Sequence, residues 1–149
     1  MAAKNSNNPS AVGHKGLEGL YQISQILAAG TAQREMLAEV LEVMDREMAL
    51  FRGTILLLSH DGKELTAEIA HNVSPRSTQA TRYRHGEGIV GRVVKTGQEA
   101  IIPKISEEPA FLDRMHKRLD KIEIELSFIC VPILLGNESI GALACDVPF

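Results

Sequence analysis

A strand, a glycine turn and a helix are encoded in the stretch Tyr83-Arg84-His85-Gly86-Glu87-Gly88-Ile89-Val90-Gly91-Arg92-Val93. Two glycines separated by one residue permit a tight, unusual backbone immediately before a helix. The N–H groups at such a helix start can bind an anion, whereas many glycine-rich turns only redirect the chain. Both interpretations stay open at this point. The turn is neither a dinucleotide fingerprint nor a Walker loop, because no Gly-Lys-Ser/Thr follows it.

Upstream of this stretch, the pattern predicts two helices followed by a β-hairpin. Apolar residues recur at helical spacing over residues 17–28 and again over residues 32–51. Residues 54–58 are apolar without a break from Ile55 onward, which indicates a strand covered on both faces. A tight Asp-Gly turn then leads into an alternating partner strand that ends at residue 70. Residues 72–81 are predicted to form a polar loop.

Downstream of the glycine turn, we expect a helix over residues 89–96 and a second helix over residues 106–119, with a short strand between them. Two further strands are predicted over residues 128–134 and 139–147. Pro132 lies inside the first of these strands and cannot donate a hydrogen bond, so it indicates a sheet edge or a bulge. The element order predicts an α+β fold in which amphipathic helices pack on the faces of a central antiparallel β-sheet.

Length, charge and cysteine content narrow the class of protein. The chain has 149 residues, which suits one domain, and its formal net charge of -3 provides no basic field for nucleic acid. It has no apolar run of the roughly 20 residues that a membrane span requires. Cys130 and Cys145 lie in apolar stretches, which predicts reduced, packed thiols in a cytoplasmic protein. Residues 1–16 are polar and are expected to form a flexible N-terminal tail.

Charged residues near the glycine turn are the candidates for ligand recognition. Arg82 and Arg84 would share one face of a short strand, and with Arg92 and Arg114 they could bind a carboxylate or phosphate through forked hydrogen bonds. Solvated surface charge is the alternative for each of them. Glu87 is expected to cap its own helix rather than contact a ligand. The spacing of histidines and cysteines predicts neither a metal site nor a catalytic residue.

Four segments together resemble a GAF domain. Besides residues 83–93, they are Ile105-Ser106 with Pro109-Ala110-Phe111-Leu112, Phe128-Ile129-Cys130-Val131-Pro132-Ile133, and Ser139-Ile140-Gly141-Ala142-Leu143. More narrowly, the chain resembles the amino-terminal domain of NifA-type nitrogen-fixation regulators, which are sigma-54-dependent transcription activators. The segment Phe111-Leu112-Asp113-Arg114 and the Val131-Pro132-Ile133 strand are similar to that subgroup. The resemblance covers residues 17–147.

This resemblance implies a sensory domain over residues 17–149 that controls an attached ATPase and DNA-binding module. It implies 2-oxoglutarate as a candidate effector and a redox-responsive inhibitory protein as a candidate partner. We expect a ligand cleft between the 82–88 segment and the helices predicted over residues 89–96 and 106–119. The candidate ligand-binding residues are Arg82, Arg84, Gly86, Glu87, Gly88, Phe111 and Arg114. The alternatives are a ligand-free dimerisation module and a free methionine sulfoxide reductase, a branch of the same family.

The end of the chain carries a further expectation. GAF domains usually finish with a long helix after the last strand, so we expect the domain to be truncated and its closing helix to be missing. The first helix is apolar on more than one side, through Leu20, Ile23, Ile26 and Leu27. Such a surface is larger than a stable monomer usually exposes. The sequence therefore predicts a homodimer in which the 17–28 and 32–51 helices of two chains pack around a two-fold axis.

Overall fold

The structure, a computed structural model, describes residues 9–112 and 124–149. Two helices open the chain and a β-hairpin follows them. Short helices and strands then lead to a second, longer hairpin. In order, the elements are α1 (Pro9–Ala28), α2 (Gln33–Met48), β1 (Arg52–Leu58), β2 (Glu64–Ala70), α3 (Pro75–Ala80), β3 (Arg82–Arg84), α4 (Gly88–Thr96), β4 (Ala100–Ile102), a 3-10 turn (Ile105–Glu107), β5 (Leu126–Leu135) and β6 (Glu138–Pro148).

The six strands form one antiparallel sheet in the order β3-β2-β1-β6-β5-β4. The central strand β1 pairs with β2 on one side and with β6 on the other, so that Thr54 lies between Ala70 and Ala144. The helix pair α1 and α2 covers one face of the sheet, and α4 covers the other. This architecture confirms the predicted α+β class and both predicted hairpins.

Apolar packing on both faces of β1 confirms the interpretation of its unbroken apolar run. Leu56 belongs to the core between the sheet and α4, whereas Ile55 belongs to the core between the sheet and α2. Both side chains are at most 5% exposed, and Leu57 is half-buried. On the α2 side, Leu41 is fully buried against this strand. Folding therefore removes continuous apolar surface from water on both faces of β1, and this burial is the main favourable contribution to the free energy of folding.

The two N-terminal helices differ from the prediction at their ends. Helix α1 begins at Pro9, so it includes residues 9–16, which their polar composition had assigned to a tail. Proline is favourable in a first helical turn, and local hydrogen bonds can extend a helix without an apolar face. Helix α2 ends at Met48 because Ala49 adopts a left-handed φ of 57°, and the Ala49 and Leu50 N–H groups bond back to Asp45 and Met44. Phe51 therefore does not belong to the apolar face of α2, and its side chain packs on the α4 side of the sheet.

Two connecting segments also depart from the sequence prediction. Helix α3 occupies most of the predicted loop over residues 72–81, where the Ser74 hydroxyl caps it by accepting the Ser77 N–H at 3.2 Å. The predicted 106–119 helix is absent from residues 108–112, which follow a 3-10 turn. Its remaining residues, 113–119, lie outside the described part of the chain.

The position of β4 explains how a proline fits inside β5. Strand β4 pairs only with Phe128, Ile129 and Cys130 of β5. Pro132 lies beyond the end of this pairing and has no partner residue in β4. The register with β6 also shifts between Ile133 and Leu134. Pro132 therefore lies at a sheet edge, as predicted, because β4 is too short to pair with the second half of β5. The register shift beside it is the irregularity that a bulge would produce.

Candidate functional site

A small cavity lies between the α4 side of the sheet and the segment that contains Phe111 and Leu112. Its volume is about 20 Å³, which is room for a single water molecule. The floor comes from β1, β5 and β6, the wall from β3 and α4, and the cover from Phe111 and Leu112. The described lining residues are Thr54, Leu56, Tyr83, Ile89, Val90, Phe111, Leu112, Phe128 and Ala144.

Strand β3 divides its side chains between this cavity and the outer surface. Tyr83 points inward and is 7% exposed, whereas Arg82 and Arg84 on either side of it are exposed. Alternation along a strand requires this separation, since successive side chains point to opposite faces. The Tyr83 hydroxyl donates a hydrogen bond to the Leu112 carbonyl oxygen at 3.4 Å. Tyr83 therefore connects the edge of the sheet to the cover of the cavity.

The glycine turn has the unusual backbone that its sequence predicts. Gly86 and Gly88 have φ angles of +84° and +63°, which strongly favour glycine. The Gly86 N–H donates to the Gly91 carbonyl oxygen at 3.0 Å. A Cβ at Gly91 would lie 2.6 Å from the Arg84 carbonyl oxygen, and one at Gly88 would lie 2.8 Å from Leu112 Cδ1. These contacts hold α4 against the turn and the cavity cover, while anion binding here stays a prediction.

Glu87 stabilises the turn in a different way from the predicted helix cap. Its side chain makes no capping hydrogen bond to α4. Instead, its Oε2 accepts the backbone N–H of Arg84 at 2.8 Å, while its own N–H donates to the Arg84 carbonyl oxygen. The prediction of a capping role is wrong, because the carboxylate reaches back to the backbone of β3 instead of forward to the first turn of α4.

A shallow groove on the outer side of β3 carries the two predicted arginines. We call this the arginine groove; Glu64, Arg82, Tyr83, Arg84 and Glu87 line it, and its volume is about 350 Å³. Two arginines and two glutamates give the groove a balanced formal charge. The predicted ligand residues are therefore divided: Arg82, Arg84 and Glu87 lie in the groove and Phe111 lines the cavity. Gly86 and Gly88 shape the turn between them, and Arg114 lies outside the described residues.

Several cavity residues were not indicated by the sequence. Leu56, Phe128 and Ala144 are ordinary strand residues until the sheet brings them together opposite α4. The sequence around Thr54 and Tyr83 did indicate that their side chains face inward. Thr54 is a hydroxyl residue that begins an apolar run, and Tyr83 alternates with two arginines. A polar side chain next to an apolar strand and an aromatic one between charges both suggest inward-facing positions.

An ion pair is buried on the same side of the sheet, one pleat beyond Thr54 and Ala144. Arg52 Nε lies 3.2 Å from Asp146 Oδ2, and the Asp146 side chain is fully buried. The Arg52 guanidinium carbon also lies 4.6 Å from the centre of the Phe51 ring. Because each charge neutralises the other, the pair joins the start of β1 to the end of β6.

The two cysteines lie in different cores. Cys130 packs on the α4 side of the sheet and Cys145 on the α2 side, and both are free thiols. Burial raises the pKa of each thiol to about 12, with a smaller contribution to the Cys145 pKa from the charge of Asp146. The burial of both side chains confirms the prediction that they pack in the core, and the raised pKa keeps both thiols protonated at neutral pH.

Two further properties concern only residues 9–112 and 124–149. Within these ranges, no three His, Cys, Asp or Glu side chains are grouped so that they could hold a metal ion. The helices of the same ranges are too short or too polar to cross a membrane.

Comparison with known sequences identifies regulators of nitrogen fixation among the relatives of this chain. The GAF domain family matches residues 30–148. The nitrogen fixation protein VnfA of Azotobacter vinelandii is 38% identical over 128 residues, which cover 85% of this chain and 24% of that protein. The Nif-specific regulatory protein of Azospirillum lipoferum is 34% identical over 127 residues, which cover 85% of this chain and 20% of that protein. This chain therefore spans a quarter or less of these relatives.

Solved structures share the fold at lower sequence identity. The GAF domain of A. aeolicus nlh2 in an inactive state superposes with a TM-score of 0.81 at 23% identity, covering 93% of this chain and 82% of that one. A free methionine-R-sulfoxide reductase from Neisseria meningitidis superposes with a TM-score of 0.72 at 19% identity, covering 99% and 78%. The family match over most of the chain, together with the six-stranded sheet between its helices, shows that this protein belongs to the GAF domain family.

Proposed function

We propose that this chain is the signal-receiving domain of a cytoplasmic nitrogen-fixation transcription activator. The observation that carries the proposal is the 38% identity, over 85% of the chain, to a nitrogen fixation protein. The domain would respond to a small molecule or a partner protein and control an attached ATPase and DNA-binding module. Contact with DNA would belong to that module, because this domain has a net charge of -3.

The effector that we propose is a small dicarboxylate, with 2-oxoglutarate as the first to test. Arg82 and Arg84 support this choice, since both are exposed on the same side of β3 and both line the arginine groove. A guanidinium group binds a carboxylate through two parallel hydrogen bonds. Glu64 and Glu87 in the same groove would disfavour anions that lack a matching shape.

The effector proposal is tested by thermal unfolding of the isolated chain with 2-oxoglutarate. We expect the ligand to raise the unfolding midpoint of the unmodified chain, because binding to the folded state alone stabilises it. The double variant Arg82→Glu/Arg84→Glu should lose this response. Arg76→Glu is the matched control, since Arg76 is exposed on α3 and outside the groove. An unchanged response in the double variant would show that the dicarboxylate binds elsewhere.

The regulatory proposal needs a separate test in the full-length regulator. Transcription from a reporter promoter should respond to 2-oxoglutarate in the unmodified regulator, and the Arg82→Glu/Arg84→Glu variant should abolish that response. The candidate inhibitory protein should lower transcription only when this domain is present. A reporter that is indifferent to removal of residues 9–149 would contradict a regulatory role.

A homodimer through the helices is the second part of the proposal, and exposed side chains on α1 favour it. Leu17, Leu20 and Leu27 are each more than half exposed and recur at helical spacing. Ile23, in contrast, packs inward against the α2 side of the core. The dimer predicted through the 17–28 and 32–51 helices would thus use the three leucines, whereas a charge at Ile23 would disturb the fold itself.

Light scattering at low concentration tests the dimer. We expect a dimeric mass for the unmodified chain and a monomeric mass for Leu20→Glu. Leu135→Glu is the matched control, because Leu135 is also more than half exposed but lies at the end of β5, far from α1 in sequence. A monomeric mass for the unmodified chain would exclude the dimer, and a monomeric mass for both variants would show that the effect is not specific to α1.

We propose that the domain has no enzymatic activity of its own. A thiol-dependent reductase requires an accessible thiolate, whereas burial raises the pKa of Cys130 and Cys145 to about 12. The resemblance to a methionine sulfoxide reductase structure, at 19% identity, is a likeness of fold. Turnover of free methionine sulfoxide by the purified chain would contradict this proposal.

A further inference from the structure

Acidic and basic side chains lie next to each other in the arginine groove. The described residues that line it include two arginines and two glutamates. Its volume of about 350 Å³ falls within the roughly 300–1,000 Å³ of small-molecule sites. Glu64 and Arg84 are direct partners in the ladder between β2 and β3, so their side chains project from the same face of the sheet. The groove therefore presents opposite charges side by side rather than a purely cationic surface.

Backbone hydrogen bonds hold the residues that carry these charges. The Glu64 N–H donates to the Ser59 hydroxyl at 3.1 Å, and the Glu64 carbonyl oxygen accepts the Ser59 N–H at 2.8 Å. The Arg84 N–H donates to the Glu87 carboxylate at 2.8 Å, which also fixes the position of that negative charge. Charges that are fixed before a ligand arrives lose less conformational freedom when it binds.

We propose that the arginine groove binds an amino dicarboxylate. Its carboxylates contact Arg82 and Arg84, and its ammonium group contacts the two glutamates. This inference rests on the proposed sensory function and narrows its effector from dicarboxylates in general to those that also carry a positive charge. A guanidinium has five N–H donors and a carboxylate has about four acceptor positions, so each can bind a ligand alongside the contacts that it already makes.

The two glutamates are the reason for the preferred positive charge. A dicarboxylate without an ammonium group brings two negative charges close to Glu64 and Glu87, and like charges repel. An ammonium group on the same ligand replaces part of that repulsion with charge-assisted hydrogen bonds. Because Glu64, Arg82 and Arg84 are exposed to solvent, each added ion pair contributes modestly. We therefore expect a preference of about three- to tenfold in affinity.

Three ligands that share one carbon skeleton test the proposal. Glutarate, 2-oxoglutarate and L-glutamate are dicarboxylates that differ at a single carbon, which carries two hydrogens, a ketone oxygen or an ammonium group. In calorimetric titrations of the chain at low ionic strength, L-glutamate should bind about three- to tenfold more tightly than either of the others. Equal affinities for L-glutamate and glutarate would overturn the proposal and leave 2-oxoglutarate as the proposed effector.

Two single variants locate the ammonium position. Glu64→Gln keeps the shape of the side chain and should reduce the preference for L-glutamate over glutarate to under about twofold. Glu138→Gln is the matched control, since Glu138 is exposed at the start of β6 and outside the groove, and it should keep the full preference.

The results separate this inference from the proposed function. An undiminished preference in Glu64→Gln would overturn the inference, because the ammonium group would then be recognised elsewhere. Absence of binding by all three ligands would overturn it together with the dicarboxylate effector. The reporter experiment on removal of residues 9–149 would still decide the regulatory role in either case.

Discussion

The two faces of the central sheet are packed in different ways. On the α4 face, the ion pair between Arg52 and Asp146 is almost completely enclosed. On the face covered by α1 and α2, the ion pair between Arg34 and Glu68 is exposed and 3.8 Å long. The outer side of α1 also presents leucines to solvent. The α4 face therefore encloses its charged pair, while the helix face keeps an exposed ion pair and exposed apolar side chains.

This contrast assigns different roles to the two faces of the proposed sensor. The α4 face contains the cavity and the glycine turn. The helix face contains the surface that we propose for the dimer. Substitutions on each face and a change of pH test whether the difference between the faces is energetic as well as geometric.

Breaking the enclosed ion pair should have the largest effect. Asp146→Asn would remove the buried negative charge that lies 3.2 Å from Arg52 Nε, and we expect the free energy of unfolding to fall by about 3–5 kcal/mol. Urea denaturation followed by circular dichroism measures this change. Glu68→Gln breaks the exposed pair on the helix face and should cost under about 1 kcal/mol. Similar losses in the two variants would remove the energetic difference between the faces.

A methyl group added at Gly91 tests the close backbone contacts of the α4 face. The new Cβ in Gly91→Ala would meet the Arg84 carbonyl oxygen at 2.6 Å, and the backbone of β3 cannot yield as a flexible side chain could. We expect a loss of about 1–3 kcal/mol in unfolding free energy, as is typical of overpacked sites. A stability equal to that of the unmodified chain would mean that the turn is not tightly packed.

The pH dependence of the free energy of unfolding measures how strongly each face of the sheet buries its thiol. Burial raises the pKa of both Cys130 and Cys145 from 9.0 to about 12, so the folded state favours the protonated thiols. This contribution is complete below pH 9 and is lost as the pH rises from 9 to 12, because the unfolded chain releases its thiol protons first. At pH 10 we expect a loss of about 1 kcal/mol per thiol, measured by chemical denaturation.

Single variants assign this loss to each face. Cys130→Ala should remove the part that comes from the α4 face, and Cys145→Ala the part that comes from the helix face. If both variants retained the full decrease between pH 9 and pH 10, groups other than the thiols would be responsible for it.

The smallest expected effect is a gain in stability on α1. A Cβ at Gly16 would meet no heavy atom within 4 Å, so Gly16→Ala adds helix propensity without a clash. We expect the free energy of unfolding to rise by about 0.5–1 kcal/mol in a thermal or urea measurement. The same substitution at Gly91 should instead lower the free energy of unfolding. A destabilised Gly16→Ala variant would show that this part of α1 is more closely covered than the exposed leucines indicate.

The candidate site was only partly predictable from the sequence. The glycine turn was correctly predicted, because the need for positive φ is encoded in Gly86 and Gly88 themselves. The grouping of its neighbours was not, since the predicted cleft combined Phe111 with Arg82 and Arg84. The structure separates these side chains because Tyr83, rather than either arginine, occupies the inward position of β3.

The sequence by itself determined the elements whose pattern is local. The unbroken apolar run of β1 and the helical spacing of α2 and α4 specify burial residue by residue, and the two hairpins depend on turns encoded by their own residues. Only the tertiary structure decided what these elements enclose. The cavity floor needs Thr54, Phe128 and Ala144, which come from three strands, and the partner of Arg52 lies ninety-four residues away in Asp146. Such contacts depend on strand order and register, which are set by packing of the whole sheet rather than by any one segment.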